Sequence, residues 1–218
     1  MEKEIKKIQV YYHPILDGKS IEQIHNEYEK AFVPFYAIAE NNWQLPYSPK
    51  VSFGIGRSND YLYVHFMWTE EDACVEHFKD MEAVCEDSCV EFFCTHATEK
   101  RYFNFEFNRI GVCNASLRTN RTENVQRLNE QERQSILRAY TPKKKHTIIP
   151  ESEDYKLTIG IPLTLLGIDE KTAFPLNLRG NFYKCAQRTH KHLLSWNPID
   201  LPEPDFHCPD CFGEIIIN

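Results

Sequence analysis

The sequence predicts an all-β protein, a two-sheet β-sandwich with a few short peripheral helices, folded as one domain over its 218 residues. Three observations predict it. Apolar residues alternate with period two through several segments of strand length, turn-forming residues separate those segments, and only two stretches carry the spacing and capping signals of a helix. The segment around which the rest is organised runs from Glu86 to Gly111. In its second half successive side chains point to opposite faces, so Phe103, Phe105 and Phe107 form an apolar face and Tyr102, Asn104, Glu106 and Asn108 a polar row. The preceding run sets Ser88, Val90 and Phe92 on one side and Cys89, Glu91 and Phe93 on the other. Pairing of the two runs across residues 95–100 adds Glu91 to the polar row.

Residues 1–40 read as an N-terminal extension: a strand from Lys7 to Tyr12, then a helix opened by Ser20 with Gln23 completing a capping box. Ile21, Ile24, Tyr28 and Phe32 keep helical spacing up to Pro34. Trp43 and Tyr47 stand in a loop marked by Asn41, Asn42, Pro46 and Pro49. Val51, Phe53 and Ile55, a turn at Ser58-Asn59-Asp60, and Leu62, Val64, Phe66 and Trp68 read as a β-hairpin with Trp68 in the core. Its other face carries Tyr61, Tyr63 and His65. Residues 69–82 read as a connection, 112–119 as a strand and Asn129–Tyr140 as a helix. Tyr155–Ile161 and Leu176–Lys184 are strands, separated by a helical turn at Leu163–Leu166 that stops at Gly167. The chain closes with a strand over Glu214–Ile217.

Composition narrows the function classes. A hydrophobic content of 42% with 13% aromatic residues supports a packed core and excludes disorder. A net charge of -7 and a pI near 5.7 exclude the electrostatic footprint of a nucleic-acid or anionic-membrane partner, and the short basic cluster Lys143–His146 reads as a solvated loop. No apolar run approaches the ~18–20 residues of a membrane span, and Met1–Ile8 has no signal-peptide core, which together predict a cytoplasmic protein. The eight cysteines read as reduced thiols, because disulfide frameworks belong to short secreted chains. Oligomeric state is not encoded in any of these patterns.

The polar row has the inventory that sugar recognition needs, planar groups that donate and accept toward hydroxyls. It equally suits a buried network that fixes the sandwich. Glu91 and Glu106 on paired strands also invite a glycoside-active reading, since one of the several registers open to the two strands brings the carboxyl groups to about 5 Å. Cys208-Pro-Asp-Cys211 has the spacing of half a zinc site, and reads more simply as a prolyl turn before the last strand. Phe53-Gly-Ile-Gly-Arg lacks the third glycine and the helix of a phosphate-cradling loop.

Taken in order, Trp43-Gln-Leu-Pro-Tyr-Ser-Pro, Asp60-Tyr-Leu-Tyr-Val, Glu86-Asp-Ser-Cys-Val-Glu-Phe-Phe, Tyr102-Phe-Asn-Phe-Glu-Phe-Asn with Ile110-Gly, Gly180-Asn-Phe-Tyr-Lys-Cys, Trp196, Pro204-Asp-Phe-His and Phe212-Gly resemble the family 9 carbohydrate-binding-module-like proteins of the DOMON-like group. The resemblance runs from about Trp43 to Asn218. It implies a jelly-roll-like sandwich that binds a sugar by tryptophan stacking and polar side chains, often with structural calcium; loop oxygens such as those near Asp60 or Asp72 are available for that ion, but no ligand spacing in the sequence identifies a site. Glu91, Asn181 and Trp196 match the binding residues of that pattern in kind and order, and Trp43 supplies a second ring.

The leading expectation is a non-catalytic protein holding a saccharide or polyol against one sheet. Glu91, Asn104, Glu106, Asn108, Asn181 and Tyr183 would hydrogen-bond it, with Arg118 and Lys184 as charged contacts and Trp43 and Trp196 as platforms. The alternatives are a glycoside-active enzyme using Glu91 and Glu106, and a protein-interaction sandwich whose polar row is structural.

Overall fold

The computed structural model describes residues 5–27, 34–141 and 153–218. The second half of the expected first helix, with Tyr28 and Phe32, and the basic cluster Lys143–His146 lie outside the described residues.

Two sheets pack face to face. The larger contains β1 (Lys7–Val10), β5 (Cys89–His96), β6 (Tyr102–Asn108), β7 (Cys113–Arg118), β8 (Gln126–Arg127), β11 (Leu176–Ala186), β12 (His192–Ser195) and β13 (Gly213–Ile217). Its order is β1-β13-β11-β5-β6-β7-β8, with β12 pairing the second half of β11 where β13 pairs the first. The smaller, ordered β2-β3-β4-β10-β9, contains β2 (Phe35–Ala37), β3 (Lys50–Arg57), β4 (Tyr61–Glu70), β9 (Leu137–Tyr140) and β10 (Glu153–Pro162). The all-β sandwich that the alternating pattern predicts is therefore the fold.

β3 and β4 form the expected hairpin, with Val51 opposite Trp68 and Arg57 opposite Leu62. Ser58 makes the turn, its Oγ accepting from the backbone N–H groups of Asp60 at 3.2 Å and Tyr61 at 3.0 Å. β5 and β6 pair in the register that sets Glu91 opposite Glu106. The inward faces meet in an aromatic spine: Phe53 of the small sheet stacks on Phe182 of the large one at 3.7 Å, and Phe182 on Phe92 at 4.6 Å. Each such side chain contributes on the order of 1.5–3 kcal/mol by leaving water. Phe105, Phe107, Trp68, Leu157 and Ile159 extend the same core.

The helix α1 (Ile21–Glu27) starts as expected, the Ser20 N–H donating to Gln23 Oε1 at 2.9 Å and the Gln23 N–H to Ser20 Oγ at 3.3 Å. Its Ile21 and Ile24 cover the outer face of the small sheet at Tyr63. The N-terminal strand does more than extend the domain, because β1 runs parallel to β13 and forms an edge of the large sheet.

The segment Asn129–Tyr140 differs from the single helix expected. It divides into α2 (Glu130–Ser135), capped reciprocally by Asn129 and Glu132, and the strand β9. The apolar face of the helix is too thin to bury more than its end. Ile136 instead enters the inter-sheet core, and Leu137 and Ala139 pack against α1 while their backbone pairs the open edge of β10. Strands β2, β8 and β12, two to four residues long, are too short to show a period. Among the described residues no helix is long and apolar enough to cross a membrane.

Candidate functional site

The outward face of the large sheet is half covered. The segment between β12 and β13 folds back over it, and Ile199, Phe206 and Phe212 pack on Phe93, Tyr102 and Tyr183 in a second, smaller core. Where this strap ends, a cleft of about 380 Å³ opens. Glu91 of β5, Glu106 of β6 and Cys185 of β11 line it from the sheet, and Phe206, His207, Leu193 and Arg121 from its sides. A wider depression of about 800 Å³ lies between residues 57–61 and 162–174, but no buried polar side chain lines it.

The floor is ordered by a relay of hydrogen bonds along one face of β6 and β7. Arg118 Nε donates to Ser116 Oγ at 2.9 Å, Ser116 Oγ to Asn104 Oδ1 at 2.5 Å, and Asn104 Nδ2 to Glu106 Oε1 at 2.7 Å. Asn114 Nδ2 donates to Glu106 Oε2 at 3.0 Å, so both oxygens of this carboxyl group are held. Burial raises the Glu106 pKa, opposed by the Asn114 amide, by Arg118 and by the Asn104 amide. Burial, with the Cys185 and Glu106 charges beside it, pushes the Glu91 carboxyl well above the usual carboxylate range. A carboxyl group shifted in this way takes up a proton more readily, and in its protonated form it donates as well as accepts. His207, whose Nδ1 shares a hydrogen bond of 2.8 Å with the Tyr102 hydroxyl, is pushed down to about 4 by burial and by Arg118, and faces the cleft as neutral imidazole.

The structure divides the ten residues expected to contact a ligand. Glu91 and Glu106 line the cleft, and Asn104 and Arg118 stand behind Glu106 in the relay. Tyr183 supports the wall: its hydroxyl donates to the Phe206 carbonyl at 3.1 Å and its ring stacks on Phe206 at 4.3 Å. Trp43 backs the same wall, 5.9 Å from the Phe206 ring, with its indole N–H held by the Leu201 carbonyl at 3.1 Å.

The other four stand away from the cleft. Asn108 fastens a loop, donating to the His77 carbonyl at 2.8 Å and accepting from the Val112 N–H at 3.0 Å. Asn181, fully buried, ties the start of the strap through the carbonyl and N–H of Asn197 at 3.0 and 2.8 Å. Lys184 is out of phase with Tyr183 and points between the sheets, where its ammonium group pairs Glu70 at 3.0 Å. Trp196 is a core residue, edge-on to Phe182 and Phe53 and lying over Gly213, where a Cβ would approach its Cζ3 to 2.4 Å.

Sequence reasoning did not reach Phe206, His207, Leu193 and Arg121 as cleft residues. Their signal was weak: an aromatic within a proline-rich tail and an arginine past a strand end are both ordinary loop features. Calcium takes about 6–8 oxygens, and among the described residues the two aspartates named for it, Asp60 and Asp72, stand in no cluster of three His, Cys, Asp or Glu ligand atoms. The Cys208-Pro-Asp-Cys211 segment is a 3-10 turn over Pro209–Cys211 leading into β13, the simpler of its two readings.

Comparison with known proteins gives one consistent result. The model of carbohydrate-binding family 9 matches residues 22–217. The fold is similar to that of a candidate carbohydrate-binding protein from Bacteroides uniformis ATCC 8492, at 26% identity and a TM-score of 0.88, over 99% of this chain and 100% of that one. It is also similar to a family 9 carbohydrate-binding module from Caldicellulosiruptor kristjanssonii solved with glucose, at 14% identity and a TM-score of 0.59, over 98% and 96% of the two chains. The same module solved with cellotriose gives 14% identity and a TM-score of 0.57, over 97% and 93%. A search of curated proteins returns no match.

Proposed function

The chain belongs to carbohydrate-binding family 9, and on that premise we propose that it holds a saccharide in the cleft over Glu91 and Glu106, without chemical turnover. The observation that carries this reading is the convergence of two buried carboxyl groups, one fastened by two asparagine amides, on the floor of a cleft with an aromatic wall. Glu106 accepts from sugar hydroxyls through the lone pairs that Asn104 and Asn114 leave free. Glu91 accepts or donates. Arg121 and the neutral His207 supply further polar contacts at the sides.

A volume of about 380 Å³ sits near the lower end of the ~300–1,000 Å³ range of ligand pockets. It favours one or two sugar rings over a long polysaccharide laid across a flat face. One face of Phe206 is covered by Tyr183, so stacking is limited and hydrogen bonds dominate the affinity. The solved relatives, in complex with glucose and cellotriose, support the ligand class.

The test is a thermal-shift and calorimetric screen against glucose, cello-oligosaccharides and other mono- and disaccharides. A ligand that binds the native state raises the melting temperature. Glu106→Gln, which keeps the shape and replaces an acceptor by a donor, should weaken binding by ~10–150-fold, the loss of one charge-assisted hydrogen bond of ~1.5–3 kcal/mol. An absence of any shift at millimolar sugar would overturn the reading.

The direct opposition of Glu91 and Glu106 favours one second reading, a glycoside-active pair. It requires one of the two to be ionised as nucleophile and the other to be protonated as acid. Hydrolysis of aryl glycosides, lost in Glu91→Gln and in Glu106→Gln, would establish it.

A further inference from the structure

We propose that Cys89, Glu91 and Cys185 form a binding site for a thiophilic divalent cation, of which Zn²⁺ is the reference, at the base of the cleft. The sheet brings the three together. Cys89 on β5 and Cys185 on β11 are direct cross-strand partners, and Glu91 follows two residues after Cys89 on the same face. These positions belong to central strands, so the donors are fixed by the ladder and not by a loop.

The spacing is that of a metal site. Cys185 Sγ lies 3.2 Å from Glu91 Oε1, Cys89 Sγ 4.0 Å from it, and all three ligand atoms lie within 4.8 Å of one another. A tetrahedral Zn²⁺ with bonds of ~2.3 Å to sulfur and ~2.0 Å to oxygen separates two sulfurs by ~3.8 Å and sulfur from oxygen by ~3.5 Å. Small side-chain rotations close the difference. All three residues are buried, at 0, 3 and 2% exposure, yet Glu91 and Cys185 line the cleft. Three protein ligands with the fourth direction open to a cleft leave room for a water or for a hydroxyl group of a bound molecule.

The donor set decides the class of ion. Two thiols and one carboxyl select zinc-like ions over calcium or magnesium, which prefer all-oxygen shells. Among the described residues this is the one group of three or more such ligand atoms. The Cys208 and Cys211 pair, whose spacing in sequence resembles half a zinc site, is a poorer candidate: its sulfurs stand 2.6 Å apart, closer than two thiolates on one zinc, and neighbouring His207 is engaged by Tyr102. The proposal does not depend on the saccharide reading, because the metal is assayed alone.

The experiment uses the full chain, reduced and stripped with a chelator, titrated with Co²⁺ as probe and then with Zn²⁺. The expected result is one equivalent of Co²⁺ with a near-ultraviolet thiolate-to-cobalt charge-transfer band, displaced by Zn²⁺. Cys89→Ala and Cys185→Ala should each weaken binding by more than about tenfold and reduce the band, Glu91→Gln should weaken binding with the band retained, and the Cys208→Ala/Cys211→Ala double variant should bind like the native chain. Circular dichroism checks that each variant folds. Should an alanine variant fail to fold, mass mapping of alkylated native protein replaces it: Zn²⁺ should slow labelling of Cys89 and Cys185, and equal labelling with and without Zn²⁺ would overturn the proposal. So would the absence of a band in the native chain, a band that depends on Cys208 and Cys211 instead, or a Cys89–Cys185 disulfide in protein purified without reductant.

Discussion

Replacing Lys184 by Met removes one charge from a pair that water does not reach. Lys184 Nζ and Glu70 Oε2 are 3.0 Å apart and both side chains are 0% exposed. The ammonium group also donates to Ser88 Oγ at 3.3 Å, to the Cys185 carbonyl at 3.0 Å and to His192 Nε2 at 3.0 Å. Met preserves the stem that packs between the sheets, so the loss is electrostatic. Glu70 keeps its hydrogen bonds from the Trp68 indole and Ser88 but loses its lysine counter-ion and is left with the His192 ring at 3.7 Å, and breaking a buried pair from one side costs ~3–5 kcal/mol. Against a total stability of ~5–15 kcal/mol that is a large fraction. With a urea m-value of ~3 kcal/mol/M, the unfolding midpoint should fall by about 1–1.7 M at unchanged slope. Glu70→Gln in the Lys184→Met background should recover part of the loss, because it removes the stranded charge. A Lys184→Met protein within about 1 kcal/mol of the native chain would refute the internal-pair assignment, and weaker ligand binding at full stability would return Lys184 to the ligand.

Three further outcomes follow from the same geometry. Trp196→Ala should lower stability by ~3–5 kcal/mol in urea unfolding, since the indole fills the space between Phe53, Phe182 and Gly213; a change in ligand affinity at unchanged stability would contradict its core placement. Asn104→Ala removes a donor from Glu106 and strands the Ser116 hydroxyl, and should cost ~1–3 kcal/mol and weaken saccharide affinity in calorimetry on the folded protein; unchanged affinity would remove Asn104 from the orientation of Glu106. Burial lowers His65 to about 3 and His192 to about 4. Both are therefore buried neutral at no cost above an ordinary histidine pKa of ~6.5, while below it the unfolded chain binds protons that the native state refuses. Glu91 and Glu106, raised by burial, act in the opposite sense in this window, so the histidine contribution is read against a His65→Gln variant: the native chain should lose stability relative to the variant as pH drops from ~6.5 toward ~4, and parallel urea-unfolding profiles would contradict the burial of the His65 ring.

The β5 and β6 pairing was legible because one face of β6 is all phenylalanine and the other all hydrogen-bonding, but registers two residues apart all keep Glu91 in that polar row, and the one that sets it opposite Glu106 is fixed only by the fold. The same alternation identified the β3 and β4 hairpin. What period-two reasoning cannot supply is the cover on the outward face. Phe206 and His207 come from a proline-rich strap whose path is set by Tyr183, Trp43 and Asn181 across the fold. Lys184 and Trp196 misled for a related reason. A lysine inside an apolar strand looks like a ligand contact until Glu70 appears from the opposite sheet, and a tryptophan after a four-residue strand gives no sign of which side it fills. Asn181 and Asn108 show that a matching residue type in a matching order can serve the backbone of a neighbouring segment.

A crystal structure of the chain soaked with glucose or cellotriose would locate the ligand. A sugar ring should stand in the cleft, with hydroxyl groups within hydrogen-bond distance of Glu91 and Glu106 and an edge against Phe206. Sugar bound elsewhere on the surface, with the cleft filled by water alone, would contradict that placement.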